Sequence, residues 1–417
     1  MSNEVTNSGG ESGGSGQSQV EPRSANGGRR RASAALVAAG LIVVSATLYA
    51  VNVYRISVGH DRFDKACQVA AREGDWDYMR KVAEEWLAWT PGHADALRRA
   101  AEAAQQQDRH GDLVEILAQI PSTDPNFVYG LAEKAGVEWS ELNSPLNALR
   151  TSEQVIGSEP RHTDSHSRVF SFYAMTLQRV EMLRAIRRAI QAGAEPRESY
   201  CYLIMADILS FTNAAEQNQR WLRGAPDEAR FKVALAVTTA MDVISGMETS
   251  PTAEMIELSQ QAQKQLAGFL ETYPNDSVLL SFLLYRAYRG GDIERVSELL
   301  TRVSGNAAED HMVWVIRAWY HTQVEEYEDA EKAIQQAIRL HPLSPLAHHE
   351  YANLLRVQQR PEVEREQRLA AYGRELRSEI LLQPSAVDLS PALLLKIQSY
   401  ADSCGDTETA SALGARF

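Results

Sequence analysis

HMVWVIRAWYHTQVEEYEDAEKAIQQAIRLHP, residues 311–342, decides the fold class. Its first half reads as one amphipathic helix, its second half as another, and a short polar turn around Glu325 separates them. Trp314 and Ala318 fall on one face of the first helix. In the second, Ala330, Ile334 and Ala337 share a face by their spacing of four and three. Small alanines at such positions let two helices, and then the next pair, approach closely. Pro342 ends the unit because proline cannot continue a helix.

Outward from this unit, the prolines recur at a regular interval. Pro91, Pro125, Pro160, Pro196 and Pro226 follow one another at nearly constant spacing, and Pro274 and Pro342 are separated by two such periods. A repeat of about 34 residues without alternating strand patterns indicates stacked helical hairpins. The unit 311–342 resembles the tetratricopeptide repeat, with Trp314 at the aromatic position, Ala318 at the small one and Tyr327 after the turn. Three positions depart from that pattern: Arg317 is usually apolar, His321 usually tyrosine, and Glu325 usually glycine.

Three further units match less closely. Residues 60–91 supply Gly74, Trp76, Ala83 and Pro91, with Met79 and Trp86 where small residues are usual. Residues 277–308 supply Leu280, Leu283, Ala287, Gly290-Gly291, Ile293 and Leu300. Residues 345–376 supply Tyr351, Ala352 and Leu355, then a helix begun at Pro361. Between about 163 and 274 the hairpin pattern persists but the motif fades. A C-terminal cap is expected over about 389–417, where Ser390-Pro391 starts a helix and Cys404-Gly405-Asp406 turns into a last short one. The chain is therefore expected to be all-α: a tetratricopeptide-like solenoid over 58–417, after one transmembrane helix and a disordered tail.

The tail is residues 1–28, dominated by Ser, Gly, Asn, Gln and Glu, which cannot bury enough apolar surface to order themselves. Arg29-Arg30-Arg31 follow, and then the stretch 32–54, from Ala32 to Tyr54, carries no charge. A helix of that length extends roughly 34 Å, enough for a hydrocarbon core. Tyr49 and Tyr54 fall near its far interface. A retained signal anchor fits better than a cleaved signal peptide. The segment before it would be unusually long, the apolar stretch exceeds the roughly 7–15 residues of a signal core, and no A-x-A site follows. The arginine triplet predicts a cytoplasmic N-terminus and an extracytoplasmic solenoid, at the inner membrane if the source is bacterial.

Formal net charge is −13 over 417 residues. Residues 1–54 hold three acids against four arginines, while the rest holds 52 acids against 38 bases. An acidic solenoid repels phosphate backbones, so nucleic acid is excluded as the main partner. Cys67, Cys201 and Cys404 show neither disulfide nor zinc spacing and are expected to be free and buried.

Catalytic signatures are missing. His349-Glu350-Tyr351-Ala352-Asn353 begins like a zincin helix, but Asn353 stands where the second histidine must be. His162 and His166 have i, i+4 spacing, yet flank a polar turn without a third ligand, so solvated histidines are expected. No phosphate-binding loop or nucleophile elbow occurs. No catalytic residue, metal or cofactor is therefore assigned.

In the repeat family the first helices of successive units line a groove that holds partner segments. Carried onto this sequence, that resemblance implies a groove lined by Tyr285, Tyr288 and Arg289, then Trp319 and Thr322, then His349, Asn353 and Arg356. Aromatic rings beside basic and amide groups suit an extended carboxylate-bearing segment. Packing of the three rings between helices is the competing reading. The family's paired lysine–asparagine carboxylate clamp is not present. The expected function is a non-catalytic, membrane-anchored scaffold for a protein partner. The alternatives are a solenoid enzyme acting on cell-wall or glycan substrates, and a self-associating structural protein.

Overall fold

The computed structural model describes residues 26–208, 213–249, 253–385 and 389–415, without the side chains of 26–38, 244–249, 254 and 255. Residues 1–25 of the expected tail, and the last two residues of the expected cap, lie outside the described residues. Among the described residues there are twenty α-helices, one 3-10 turn and no strand.

The first helix, α1 (Asn26–Glu73), runs without a break from the apolar segment into the array. Along the segment Leu41, Ile42, Val43, Leu48 and Tyr49 are all more than half exposed. By length and composition this helix can cross a membrane. Its C-terminal end is covered: Phe63, Ala66, Cys67 and Ala70 pack on α2 (Trp76–Trp89). The Trp86 Nε1–H donates to His60 Nδ1 at 2.7 Å.

Hairpins then follow in order: α3 (Ala94–Gln106) with α4 (His110–Leu117), α5 (Phe127–Ser140) with α6 (Pro145–Ser158), and α7 (Thr163–Met175) with α8 (Arg179–Ala192). The middle holds α9 (Glu198–Met205), α10 (Ala214–Gly224), α11 (Ala229–Thr249) and α12 (Ala253–Thr272). The last four hairpins are α13 (Ser277–Gly290) with α14 (Ile293–Leu300), α15 (His311–Gln323) with α16 (Tyr327–Leu340), α17 (Pro345–Val357) with α18 (Val363–Leu381), and α19 (Pro391–Cys404) with α20 (Thr407–Gly414). The helices α13, α15 and α17 start at Ser277, His311 and Pro345, so each step along the array takes one period of about 34 residues.

One backbone device repeats at the hairpin turns. Gly74, Asp108, Asn143, Leu177, Gly291, Glu325, Gln359 and Gly405 all have φ between 50° and 79°. A left-handed residue ends the first helix and turns the chain into the second. In most of them the following N–H closes on the carbonyl five residues back, as in Asp75 to Ala70, Gln178 to Tyr173 and Glu326 to His321. Glu325 thus takes the conformation that Gly291 takes one repeat earlier, although it has a Cβ.

The alanine stripe behaves as its spacing predicts. Ala330, Ile334 and Ala337 are buried and pack with Val315, Ala318, Ala347 and Leu354. Arg317 is accommodated because its guanidinium lies over the Trp314 ring, 4.7 Å from the centroid. Gly373 of α18 is needed for a close approach: a Cβ there would stand 2.5 Å from both Pro345 Cγ and the Tyr400 hydroxyl.

The array also folds back on itself. α20 packs on α8, and α18 packs on α9. One core cluster accordingly runs from Ile156 to Leu413. The Arg187 guanidinium donates to both Asp406 carboxylate oxygens, at 2.8 and 2.5 Å, and to Thr409 Oγ1 at 2.7 Å.

Candidate partner-binding strip

The first helices α13, α15 and α17 stack side by side, which brings residues as distant in sequence as Tyr285 and Arg356 onto one strip. The Tyr285 and Tyr288 ring centroids are 6.2 Å apart. Trp319 meets Tyr288 edge to face at 5.4 Å. Edge-to-face pairing places positive ring edges against the negative face of the neighbour. From α17, Asn353 Nδ2 donates to Glu350 Oε2 at 3.3 Å and lies 3.3 Å from His349 Nε2. Arg356 donates to Asn353 Oδ1 at 2.8 Å, and Arg289 reaches the Tyr285 hydroxyl at 3.4 Å. Thr322 bonds instead to the Ala318 carbonyl of its own helix.

The residue that joins the helices is Glu350, which sequence reasoning weighed only as part of a failed zinc motif. It is buried, and its Oε1 accepts from the Tyr288 hydroxyl at 2.5 Å. Burial, then the charge of Glu350 and this hydrogen bond, push the Tyr288 phenol far above its usual range. Tyr288 therefore stays a donor, and the pair is fixed across two helices. Tyr285, Tyr288 and Trp319 pack partly against the core, so they serve both as helix contacts and as part of the strip. Arg289 and Arg356 are exposed, one at the C-terminal end of α13 and the other at that of α17.

The candidate histidine pair does something other than expected. His166 is buried rather than solvated, and its Nε2 meets the Pro160 carbonyl at 2.9 Å. His162 caps α7 by accepting from the Ser165 N–H. Both histidines satisfy backbone at a turn, which explains their spacing. Cys67 and Cys404 are buried and Cys201 is half-buried, and all three are free. Burial raises the Cys67 and Cys201 thiols to about 11, so neither is a nucleophile at neutral pH.

A second polar site lies where the array folds back, and no local motif announces it. His311 Nε2 meets Asp207 Oδ1 at 2.9 Å, and Asp207 Oδ2 accepts from Arg377 at 2.8 Å and from the Leu346 N–H at 3.1 Å. Burial alone would raise the Asp207 carboxyl. The His311 hydrogen bond and the Arg377 charge outweigh it and hold the group below the usual carboxylate range. His341 lies beside His311, ring centroids 4.7 Å apart with the planes tilted by 53°, and its Nε2 meets the Leu203 carbonyl at 3.0 Å. Burial, then the neighbouring His311, hold His341 well below the usual histidine range, hence neutral.

Fold and strip together define a tetratricopeptide-like α-solenoid. No protein-family model and no curated protein matches the sequence. Among solved structures, a tetratricopeptide repeat protein from Parabacteroides merdae is 12% identical, covering 69% of this chain and 98% of that one at a TM-score of 0.26. Yeast Tom70 is 15% identical over 84% and 83% of the two chains, also at 0.26. The APC/C hetero-tetramer Cut9–Hcn1 is 13% identical over 84% and 77%, at 0.30. At these scores the likeness carries no functional argument, and the repeat architecture rests on the helix pairing and turns described above.

Proposed function

We propose that this chain is a non-catalytic scaffold, tethered to a membrane by residues 32–54, that captures a protein partner along the α13–α15–α17 strip. The observation that carries the reading is the continuity of the strip. Tyr285, Tyr288, Trp319, Glu350, Asn353 and Arg356 form one chain of ring and hydrogen-bond contacts across the first helices of three successive hairpins. The exposed guanidinium groups of Arg289 and Arg356 suit a segment bearing carboxylates, since arginine binds them through paired N–H groups. The rings between them offer apolar area at low entropic cost. The apolar stretch of α1 supports the tether, because among the described residues nothing covers it and a bilayer would. The arginine triplet before it supports a cytoplasmic N-terminus with the array on the other side.

The experiment is a crosslinked pull-down from native membranes, comparing wild type with the double variant Arg289→Glu/Arg356→Glu. Both residues are exposed, so the fold is expected to survive while the strip's charge is reversed and the Arg356–Asn353 and Arg289–Tyr285 hydrogen bonds are lost. One or two proteins retained by wild type and lost by the variant support the reading. Equal recovery from both baits removes the strip as the docking site. Reporters fused at either end, assayed for cytoplasmic and extracytoplasmic activity, test the orientation; both ends on one side would refute a single span.

A further inference from the structure

We infer that Asp207, His311 and His341 form a metal site for one zinc-class divalent ion, which clips the folded-back array shut. Their donor atoms lie within 4.8 Å of one another, and all three side chains are buried. The ligands come from three separated places: the residues just after α9, the first turn of α15, and the residue that ends α16. A tetrahedral zinc ion with bonds near 2.0–2.1 Å holds its ligand atoms about 3.4 Å apart, so the widest pair must close by roughly 1–1.5 Å.

The partners of each ligand are the ones a metal-bound side chain uses. The His341 Nε2–H is spoken for by the Leu203 carbonyl, which leaves the Nδ1 lone pair as its free donor. That Nδ1 is buried and has no hydrogen-bond partner. Ligating histidines characteristically anchor their second ring nitrogen on a carbonyl or carboxylate in this way. For His311, binding through Nε2 transfers the ring proton to Nδ1, which is also buried and unpartnered, and which lies 3.8 Å from Asp310 Oδ1. Arg377 and the Leu346 N–H occupy Asp207 Oδ2 and leave Oδ1 turned to the histidines. Two imidazoles and one carboxylate are the borderline donors that zinc favours over calcium or magnesium.

Arg179 and Arg187 are paired with Asp310 and Asp406 respectively, and Arg377 with Asp207 Oδ2, so each nearby guanidinium has a carboxylate partner and the ligand carboxylate would be shared between Arg377 and the ion. A cleft of about 260 Å³, whose lining includes Arg184, Arg187, Arg188, Glu309, His311 and His341, borders the two histidines. It provides an entry path and room for a water as fourth ligand, as three-ligand zinc sites require. The ion would couple α9 to α15 and α16, adding to the contacts of α8 and α9 with the C-terminal hairpins.

The test uses the full chain in detergent, stripped with chelator and then reloaded with zinc alone. Wild type is expected to retain one equivalent after dialysis and to melt several degrees higher, reversibly with chelator. Cobalt in place of zinc should give the intense visible absorption of a tetrahedral site. His341→Gln should lose both the equivalent and the thermal shift while keeping the helical spectrum, and His110→Ala, on α4 away from the site, should keep them. Substoichiometric zinc in wild type, or unchanged uptake in His341→Gln, overturns the site. Should His341→Gln fail to fold, the wild-type cobalt spectrum decides: octahedral weak absorption or none overturns it.

Discussion

The Tyr288 hydroxyl donates to the buried Glu350 carboxylate at 2.5 Å, joining α13 to α17 past the intervening α15. Among the described residues, Glu350 without that donor keeps the longer contact from Asn353 at 3.3 Å. Tyr288→Phe leaves the ring packing in place and removes one charge-assisted hydrogen bond, so it should cost about 1.5–3 kcal/mol. Denaturant midpoints of wild type and variant check this. An unchanged midpoint would mean the pair holds nothing together.

The left-handed turn residues predict two substitutions of opposite sign. Glu325 is exposed with φ of 62°, so Glu325→Gly relieves strain and should stabilise by about 0.5–1 kcal/mol after the glycine's extra chain entropy. Leu177 has φ of 58° but is buried in the core, so Leu177→Gly should destabilise by about 2–4 kcal/mol. Thermal melts of the two variants should move apart. If Glu325→Gly melts lower than wild type, turn strain is not what limits that position.

His348 sets an alkaline dependence. Its Nδ1 meets Glu366 Oε2 at 2.6 Å and its Nε2 meets the Pro342 carbonyl at 2.9 Å, so both ring nitrogens face acceptors. Burial alone would lower its pKa, but Cys404 and Glu366 outweigh that and lift it to about 10. A folded value above the unfolded one near 6.5 gives stability that is complete below about pH 6.5 and lost as pH rises through 10. The melting-temperature gap between wild type and His348→Gln should therefore be wide at pH 6 and narrow at pH 10. A gap independent of pH would exclude a charged His348.

Ala330 has no room for a larger side chain, being fully buried against α15. Ala330→Trp should overpack that contact and cost about 3 kcal/mol or more, loosening the hairpins on both sides. Hydrogen exchange over α15–α18 measures the spread. Unchanged protection there would place the alanine stripe on an exposed face.

Much of the array was legible in the sequence because its signals are local. The regular repeat period, the 330–334–337 stripe and the helix-starting Ser390-Pro391 all act within one hairpin or between neighbours. The strip residues were nameable for the same reason, since a repeat fixes which positions of each first helix share a face. Their connection was not nameable. Glu350 sits one turn from Asn353, but its partner Tyr288 lies two repeats back and only stacking brings them together. The motif fades between the clearer units partly because aspartate, asparagine and leucine stand at the turns Asp108, Asn143 and Leu177 where glycine is usual. The backbone conformation persisted where the residue type did not.

By itself the sequence determined an all-helical repeat, an apolar helix long enough to span a bilayer, and the core face of its clearest units. These follow from periodicity, length and composition, which a chain carries before it folds. Tertiary structure alone decided that the array folds back on itself. It alone brought Asp207, just after α9, to His311 and His341 at the two ends of the α15–α16 hairpin, and set Arg187 on Asp406. Those contacts depend on the summed twist of successive hairpins, a small angle per repeat that no single stretch of sequence displays.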